Sequence, residues 1–197
     1  MPGAIHSAHP AETGPGPLIV LLGPSGSGKD TLISGAREEF VRSGEVLFVR
    51  RAITRPAHAG SEDHIAMSDA EFDAAIDEGR FALTWAANGL RYGLPRVMEA
   101  HLAAGKAAVV NGSRGAWGVI RRVFPSAVAV EISVEPGILA QRLQARGRES
   151  QAEIEARLHR ASALTAQVEP DFIIDNSGSV ETARAALVAY IRQSVAQ

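Results

Sequence analysis

Apolar runs and helical periods alternate along this chain. Leu18 to Leu22 is an unbroken apolar run, the pattern of a strand buried on both faces. A glycine-rich turn follows, and Thr31 to Arg42 predicts a helix ending near Ser43-Gly44. Val46 to Val49 is β-branched and aromatic and predicts a second strand. Ser68-Asp69-Ala70-Glu71 has the form of a capping box for a helix reaching about Glu78, with Gly79 as its stop. Phe81 to Ala87 and Leu90 to Gly93 predict a strand pair turning at Asn88-Gly89. A helix should come next, with Pro95 in its first turn and Gly105 after its end. Lys106 to Val110, Ala127 to Val134 and Asp171 to Asp175 predict three more strands. Glu135-Pro136 opens a helix, and Val180 to Val195 is a closing amphipathic one.

This alternation predicts an α/β fold with a mostly parallel central sheet covered by helices on both faces. Met1 to Pro17, with four prolines, three glycines and little periodicity, reads as a flexible tail, leaving 18–197 as a single domain. A length of 197 residues suits one such domain and leaves little room for a second.

Composition narrows the function classes. A net charge of −2 with 46% hydrophobic residues argues against disorder and against a general nucleic-acid surface. The absence of cysteine excludes disulfides, thiolate zinc sites and cysteine nucleophiles, and suits a reducing compartment. No apolar run is long enough for a membrane span and no leader pattern is present, so a soluble, cytoplasmic protein is expected. The oligomeric state is left undecided, a homodimer being one option.

The chemistry concentrates at the first turn. Gly23-Pro24-Ser25-Gly26-Ser27-Gly28-Lys29 matches GxxxxGK between a strand and a helix. Glycines let successive N–H groups point at a polyphosphate, the helix N-terminus adds its dipole, and Lys29 adds a mobile charge. A nucleoside triphosphate is the guest this arrangement expects. Lysine occurs elsewhere only at Lys106, so its use inside the loop points to a chemical need for a compact ammonium. Asp30 stands where Ser or Thr usually meets Mg²⁺, and Thr31 follows. A carboxylate is also a good oxygen ligand, so Asp30 and Thr31 are both candidate metal ligands.

Arg50-Arg51-Ala52-Ile53-Thr54-Arg55-Pro56 places three arginines at the end of a strand, an anion trap by virtue of bidentate guanidinium geometry. In the loop that follows, Glu62 and Asp63 have three candidate roles: binding metal, bonding sugar hydroxyls or orienting the arginines. His64 reads as structural. Arg91 and Tyr92 offer a charge and a phenol on one turn, and Asn111-Gly112-Ser113-Arg114-Gly115 sits at a strand end that should border the ligand crevice. Residues 141–160 carry Arg142, Arg146, Arg148, Arg157 and Arg160 on two helical pieces broken at Gly147. A solvated charged pair of helices would have this look, but a closing lid over a phosphoryl group is the preferred reading.

In this order the motifs resemble the guanylate-kinase-type branch of nucleoside monophosphate kinases. GPSGSGKD is similar to that family's phosphate loop, ITRP to its acceptor-phosphate segment, NGLRYGLP to its HGNxYGTP segment and ARGRES to its arginine lid. The resemblance spans about Leu18 to Gln193. It implies a P-loop fold with a small acceptor-binding part near residues 50–95 and a helical lid near 141–160. It also implies ATP as donor, Mg²⁺, and nucleotide contacts from Gly23 to Thr31 and from Asn176.

The guanine-reading residues are missing: Leu83-Thr84-Trp85-Ala86 replaces the family's EHAE-type segment, and Asn111 to Gly115, with Arg114 added, replaces its acidic DxxG-type loop. A purine would find its polar edge poorly paired, so a small, baseless and anionic acceptor is expected. Together with GSEDHIAMS and VVNGSRG, these features resemble the ribose 1,5-bisphosphate phosphokinase family of the carbon–phosphorus lyase pathway, in which an aspartate after the loop lysine is typical. That resemblance implies Lys29, Arg146, Arg148 and Arg157 as catalytic groups. Arg51, Arg55, Asp63, Arg91, Tyr92 and Arg114 would hold the sugar bisphosphate. The rival readings are a nucleoside monophosphate kinase, another small-molecule kinase that should lack RAITRP and NGSRG, and a nucleotide-binding domain that has lost catalysis.

Overall fold

The computed structural model describes residues 14–57, 62–147, 151, 153–156, 158–159 and 168–196. Their organising element is β1 (Leu18–Leu22), all five residues of which are buried. It lies in the middle of a five-stranded parallel sheet. The strand order is β2 (Val46–Val49), β7 (Ala107–Asn111), β1, β8 (Ala127–Ser133) and β9 (Phe172–Asp175). Because side chains alternate along a strand, β1 feeds two cores at once. Leu18, Val20 and Leu22 pack towards α3 (Val97–Ala103) and α4 (Trp117–Val123), through Met98, Leu102, Trp117 and Ile120. Ile19 and Leu21 pack towards α1 (Lys29–Phe40) and α6 (Val180–Val195), through Leu32, Ala36, Leu187 and Ile191. An unbroken apolar strand is what a doubly covered parallel sheet requires.

A second sheet has the order β4 (Ile65–Ala66), β3 (Ala52–Ile53), β6 (Leu90–Pro95) and β5 (Phe81–Ala87). Its β5–β6 hairpin turns at Asn88 and Gly89, with φ of 52° and 72°, the two positive values that a tight two-residue turn needs. One face is covered by α2 (Asp69–Asp77), whose Phe72 meets the Phe81 ring at 4.7 Å. The capping box is formed: Ser68 accepts from Glu71 N, and the Glu71 carboxylate accepts from Ser68 N at 2.7 Å, which holds that carboxyl below its usual range. The other face, through Leu83, Trp85 and Leu94, joins the main core beside α3.

One expectation shifts. Pro95 closes β6, paired with Phe81, and the helix begins only at Val97; a strand end tolerates a residue without an N–H. Arg114–Ala116 forms a single 3-10 turn leading into α4, elements too short and too glycine-rich to announce themselves by period. α5 (Pro136–Arg146) begins with its proline in the first turn and ends on Gly147 at φ 62°. Of the expected tail, residues 1–13 lie outside the described residues. Gly16 N bonds to Leu102 O at 2.7 Å, and Pro17 O accepts from Ala108 N at 3.0 Å. Among the described residues no helix is long and apolar enough to cross a membrane.

β7 and β1 approach closely beyond their ends. A Cβ on Gly112 would stand 2.3 Å from Val20 Cγ1 and 2.9 Å from Leu22 Cδ2. Gly112→Ala is therefore expected to cost about 1–3 kcal/mol through overpacking. Urea denaturation should show a lower midpoint at unchanged slope; an unchanged midpoint contradicts it.

Candidate active site

The turn after β1 is built to leave backbone donors facing outward. Gly28, at φ 89°, begins α1 without a side-chain cap, so the first N–H groups of that helix are not taken by a capping oxygen. A Cβ there would also strike Asn176 Nδ2 at 2.5 Å. Asn176, fully buried at the end of β9, donates to Ser27 O at 2.7 Å. It thus braces the loop through the Ser27 carbonyl. Behind the loop stands α5, whose Leu139 and Leu143 lie close to Gly26.

Lys29 folds back over the same loop, its Nζ donating to Gly23 O and Pro24 O at 2.9 Å each, with Ser27 Oγ at 3.4 Å. Desolvation pulls its pKa from 10.5 to about 8. Asp30 and Glu131 oppose the shift, while Arg51 and Arg114 add to it. Those four partners define the site. Residues separated widely in the chain bring their charges to bear on one ammonium.

On the α1 side, Asp30 Oδ1 accepts from Asn111 Nδ2 at 2.8 Å. Thr31, the next residue, is exposed on the first turn. Among the described residues no group of three or more His, Cys, Asp or Glu could form a metal cage. A single carboxylate beside a phosphate loop fits the way Mg²⁺ is usually held, by one or two carboxylates with substrate phosphates and retained waters.

On the opposite wall, Arg51 is 5% exposed and lies in a bidentate pair with Glu62, at 2.8 and 2.7 Å. Its guanidinium stands 5.1 Å from the Tyr92 ring centre and 5.8 Å from that of Trp85. These two rings are stacked at 5.3 Å and 7°. Arg55 approaches the same Glu62 at 3.8 Å and contacts the buried His64, whose ring is bound to backbone carbonyls. Arg114 forms a buried pair with Glu131 on β8.

Not every expected contact converges. Arg91 and Tyr92 are neighbours in β6 and so point to opposite faces. Arg91 turns to α2, bonding Asp73 at 2.6 Å over the Phe72 ring, whereas Tyr92 faces Arg51. Asp63 joins Arg37 of α1 to Arg50, each at 2.8 Å, and the Arg37 bond is the main reason its carboxyl sits below the usual range. The lid residues Arg148 and Arg157 lie outside the described residues, as does the side chain of Arg146 at the end of α5.

Glu131 and Trp85 were not singled out as site residues by sequence. A lone carboxylate inside the apolar strand Ala127 to Ser133 was the available signal for Glu131, since an unpaired buried charge there would be too costly to keep. Trp85 stands in the segment that replaces the EHAE-type motif, but that marks a lost carboxylate and not a ring in the site. Its place depends on pairing with Tyr92 across the hairpin.

Comparison with known proteins agrees with this geometry. The guanylate kinase family model matches residues 16–194. The ribose 1,5-bisphosphate phosphokinase of Pseudomonas paraeruginosa is 48% identical over 177 residues, covering 89% of this chain and 95% of that one. That of Azotobacter vinelandii is 45% identical, covering 90% and 97%. The guanylate kinase of Anaplasma phagocytophilum shares the fold, with a TM-score of 0.69 at 19% identity over 94% of this chain and 89% of that one. A family match over nearly the whole chain and relatives identical at 45–48% over nine-tenths of it lead to one conclusion: the chain belongs to the guanylate kinase family and, within it, to the ribose 1,5-bisphosphate phosphokinases.

Proposed function

We propose that this chain transfers the γ-phosphoryl group of ATP to the 1-phosphate of ribose 1,5-bisphosphate, giving 5-phosphoribosyl 1-diphosphate and ADP, in the cytoplasm. The observation that carries the choice of acceptor is the wall opposite the loop. There the Trp85–Tyr92 stack lies against Arg51, and the nearby carboxylate, Glu62, is engaged by Arg51 and Arg55. A purine edge brought to that wall would leave its donors unpaired, which is costly in a desolvated site. Phosphates, by contrast, meet arginines.

The residues divide the work by position. Gly23 to Thr31 would cradle the ATP phosphates, with Asn176 fixing the loop's shape through Ser27. Lys29 exchanges its bonds to Gly23 O and Pro24 O for phosphate oxygens. Mg²⁺, held through Asp30 with Thr31 beside it, would supply charge neutralisation on the β- and γ-phosphates. Arg51, Arg55 and Arg114 would exchange their carboxylate partners for acceptor phosphates, with Tyr92 packing beside Arg51. Arg91 and Asp63 contribute through the α2 and α1 contacts that fix this sheet. Arg146, Arg148 and Arg157 would close over the transferring group. An acceptor oxygen attacks the γ-phosphorus in line as the bond to ADP breaks. With a second pKa of about 6 the 1-phosphate is already ionised at neutral pH, so no general base is required.

Two observations favour this over nucleoside monophosphate turnover: the occupied wall, and the names of relatives identical at 45–48%. Coupled ADP release measured with ribose 1,5-bisphosphate, GMP and AMP tests it. The sugar bisphosphate should be preferred in kcat/KM by at least about 100-fold, in keeping with a site that leaves a purine's polar groups unpaired. GMP turning over as well as the bisphosphate would overturn the reading.

A further inference from the structure

The loop and the strand beside it carry an unusual pair. P-loop proteins hold their cation with a hydroxyl at the position after the lysine and an aspartate of the Walker-B strand. Here the loop position is Asp30, and the last residue of β7, the strand next to β1, is Asn111. Carboxylate and neutral group have changed places.

The backbone leaves Asn111 little choice of direction. It pairs with Leu21 of β1, and Gly112 N bonds to Leu21 O at 2.8 Å, locking the strand end. Ala107 and Val109 point into the α1 layer, and alternation sends Asn111 the same way, onto the first turn of α1. There Nδ2 donates to Asp30 Oδ1 at 2.8 Å. A carboxylate only accepts, so the amide must present its N–H to Asp30 and turn its oxygen elsewhere. That oxygen is buried and has no hydrogen-bond partner among the described residues, in a side chain belonging to a residue only 8% exposed. Buried acceptors are rarely left unmet, and a donor is therefore missing from this corner.

We propose that Asn111 is a positioning residue of the cation site. Its N–H fixes Asp30 as ligand, and its Oδ1 accepts a hydrogen bond from a water in the hydration shell of a nucleotide-bound divalent cation. Asp30 with Asn111 thereby does the work that a hydroxyl with a strand-end aspartate does elsewhere. Cations that keep several waters need such outer partners, and their loss typically weakens binding 10- to 100-fold, an estimate of about that range. This rests on the nucleotide half of the proposed function and not on the acceptor.

The test titrates Mn²⁺, followed by its paramagnetic resonance signal, into the full chain with ADP and no acceptor. Asn111→Ala should weaken Mn²⁺ binding about 10- to 100-fold, while the affinity for metal-free ADP stays at the wild-type value. Asp30→Ser should weaken it further, and Asp30→Ser combined with Asn111→Asp should recover most of that loss. Wild-type Mn²⁺ affinity in Asn111→Ala overturns the proposal, as does an equal fall in metal-free ADP binding, which would mark Asn111 as merely structural. A double variant no better than Asp30→Ser also overturns it. Should Asn111→Ala fail to melt cooperatively, the double variant decides. A wild-type chain that binds no Mn²⁺ with ADP overturns the nucleotide reading and this inference together, whereas an error in the acceptor leaves the titration untouched.

Discussion

Lys29→Ala is expected to lower kcat for phosphoryl transfer by about 10²- to 10³-fold, the usual effect of removing one preorganised positive group from a developing charge. The ammonium is already over the loop, held by three loop oxygens, and no second lysine is near enough in the chain to replace it. Lys29→Arg should rescue little, since a planar guanidinium cannot occupy the space of a point charge between phosphate oxygens. Near-normal turnover by either variant would remove Lys29 from the mechanism.

The same residue predicts a pH effect of definite sign. In the free protein its pKa is lowered to about 8, chiefly by desolvation. Below that value folded and unfolded chains both carry the proton. Between about 8 and the ordinary 10.5 only the unfolded chain does, so this group's unfavourable contribution to stability is relieved as pH rises. Nucleotide binding behaves oppositely. Phosphate oxygens favour the ammonium, so above pH 8 ADP must bring a proton with it, and affinity should fall with rising pH. Calorimetry at pH 9 in buffers of different ionisation enthalpy should give different apparent heats for wild type and equal heats for Lys29→Ala. Identical heats for wild type would contradict the assignment.

Arg114→Ala is expected to destabilise the chain by about 3–5 kcal/mol, because it leaves Glu131 buried in the sheet without its ion-pair partner, Lys29 being the cation that remains near it. For a chain of this size that corresponds to a fall in Tm of about 6–20 °C. The pair joins β8 to the turn before α4, and both side chains are almost fully buried at 6% and 9% exposure. Replacing both members at once, Arg114→Met with Glu131→Leu, should recover most of the stability, since an apolar pair of similar volume avoids the desolvation penalty. It should not recover turnover, because the charge proposed to meet an acceptor phosphate is gone. Stability and activity then separate: the single variant loses both, the double loses activity. An Arg114→Ala protein that melts like wild type would show that Glu131 is not confined as described. A double variant with normal kcat/KM would remove Arg114 from acceptor binding.

What the sequence by itself determined was everything set by neighbours along the chain. The glycine loop, the capping box at Ser68, the Asn88-Gly89 turn and the doubly buried β1 each depend on a few consecutive residues whose backbone preferences point one way. Strand ends and helix starts were legible to within a residue or two for the same reason. The family's motifs were legible too, because each is such a local run.

Which charges meet was decided only by the tertiary structure. Asn111 reaches Asp30 across 81 residues, and Asn176 reaches Ser27 across 149, because parallel strands bring their carboxyl ends to one edge. Arg91 and Tyr92 are successive residues of the expected strand and so face opposite sides, but that the one meets Asp73 and the other Arg51 follows from packing. β3 and β4, two residues each, exist as strands through the hydrogen bonds of their partners and carry no period of their own. Arginines can be counted in a sequence, but the carboxylate that neutralises each one is chosen by packing. In a desolvated crevice no guanidinium remains without an answering charge, and the one nearest in space need not be near in the chain.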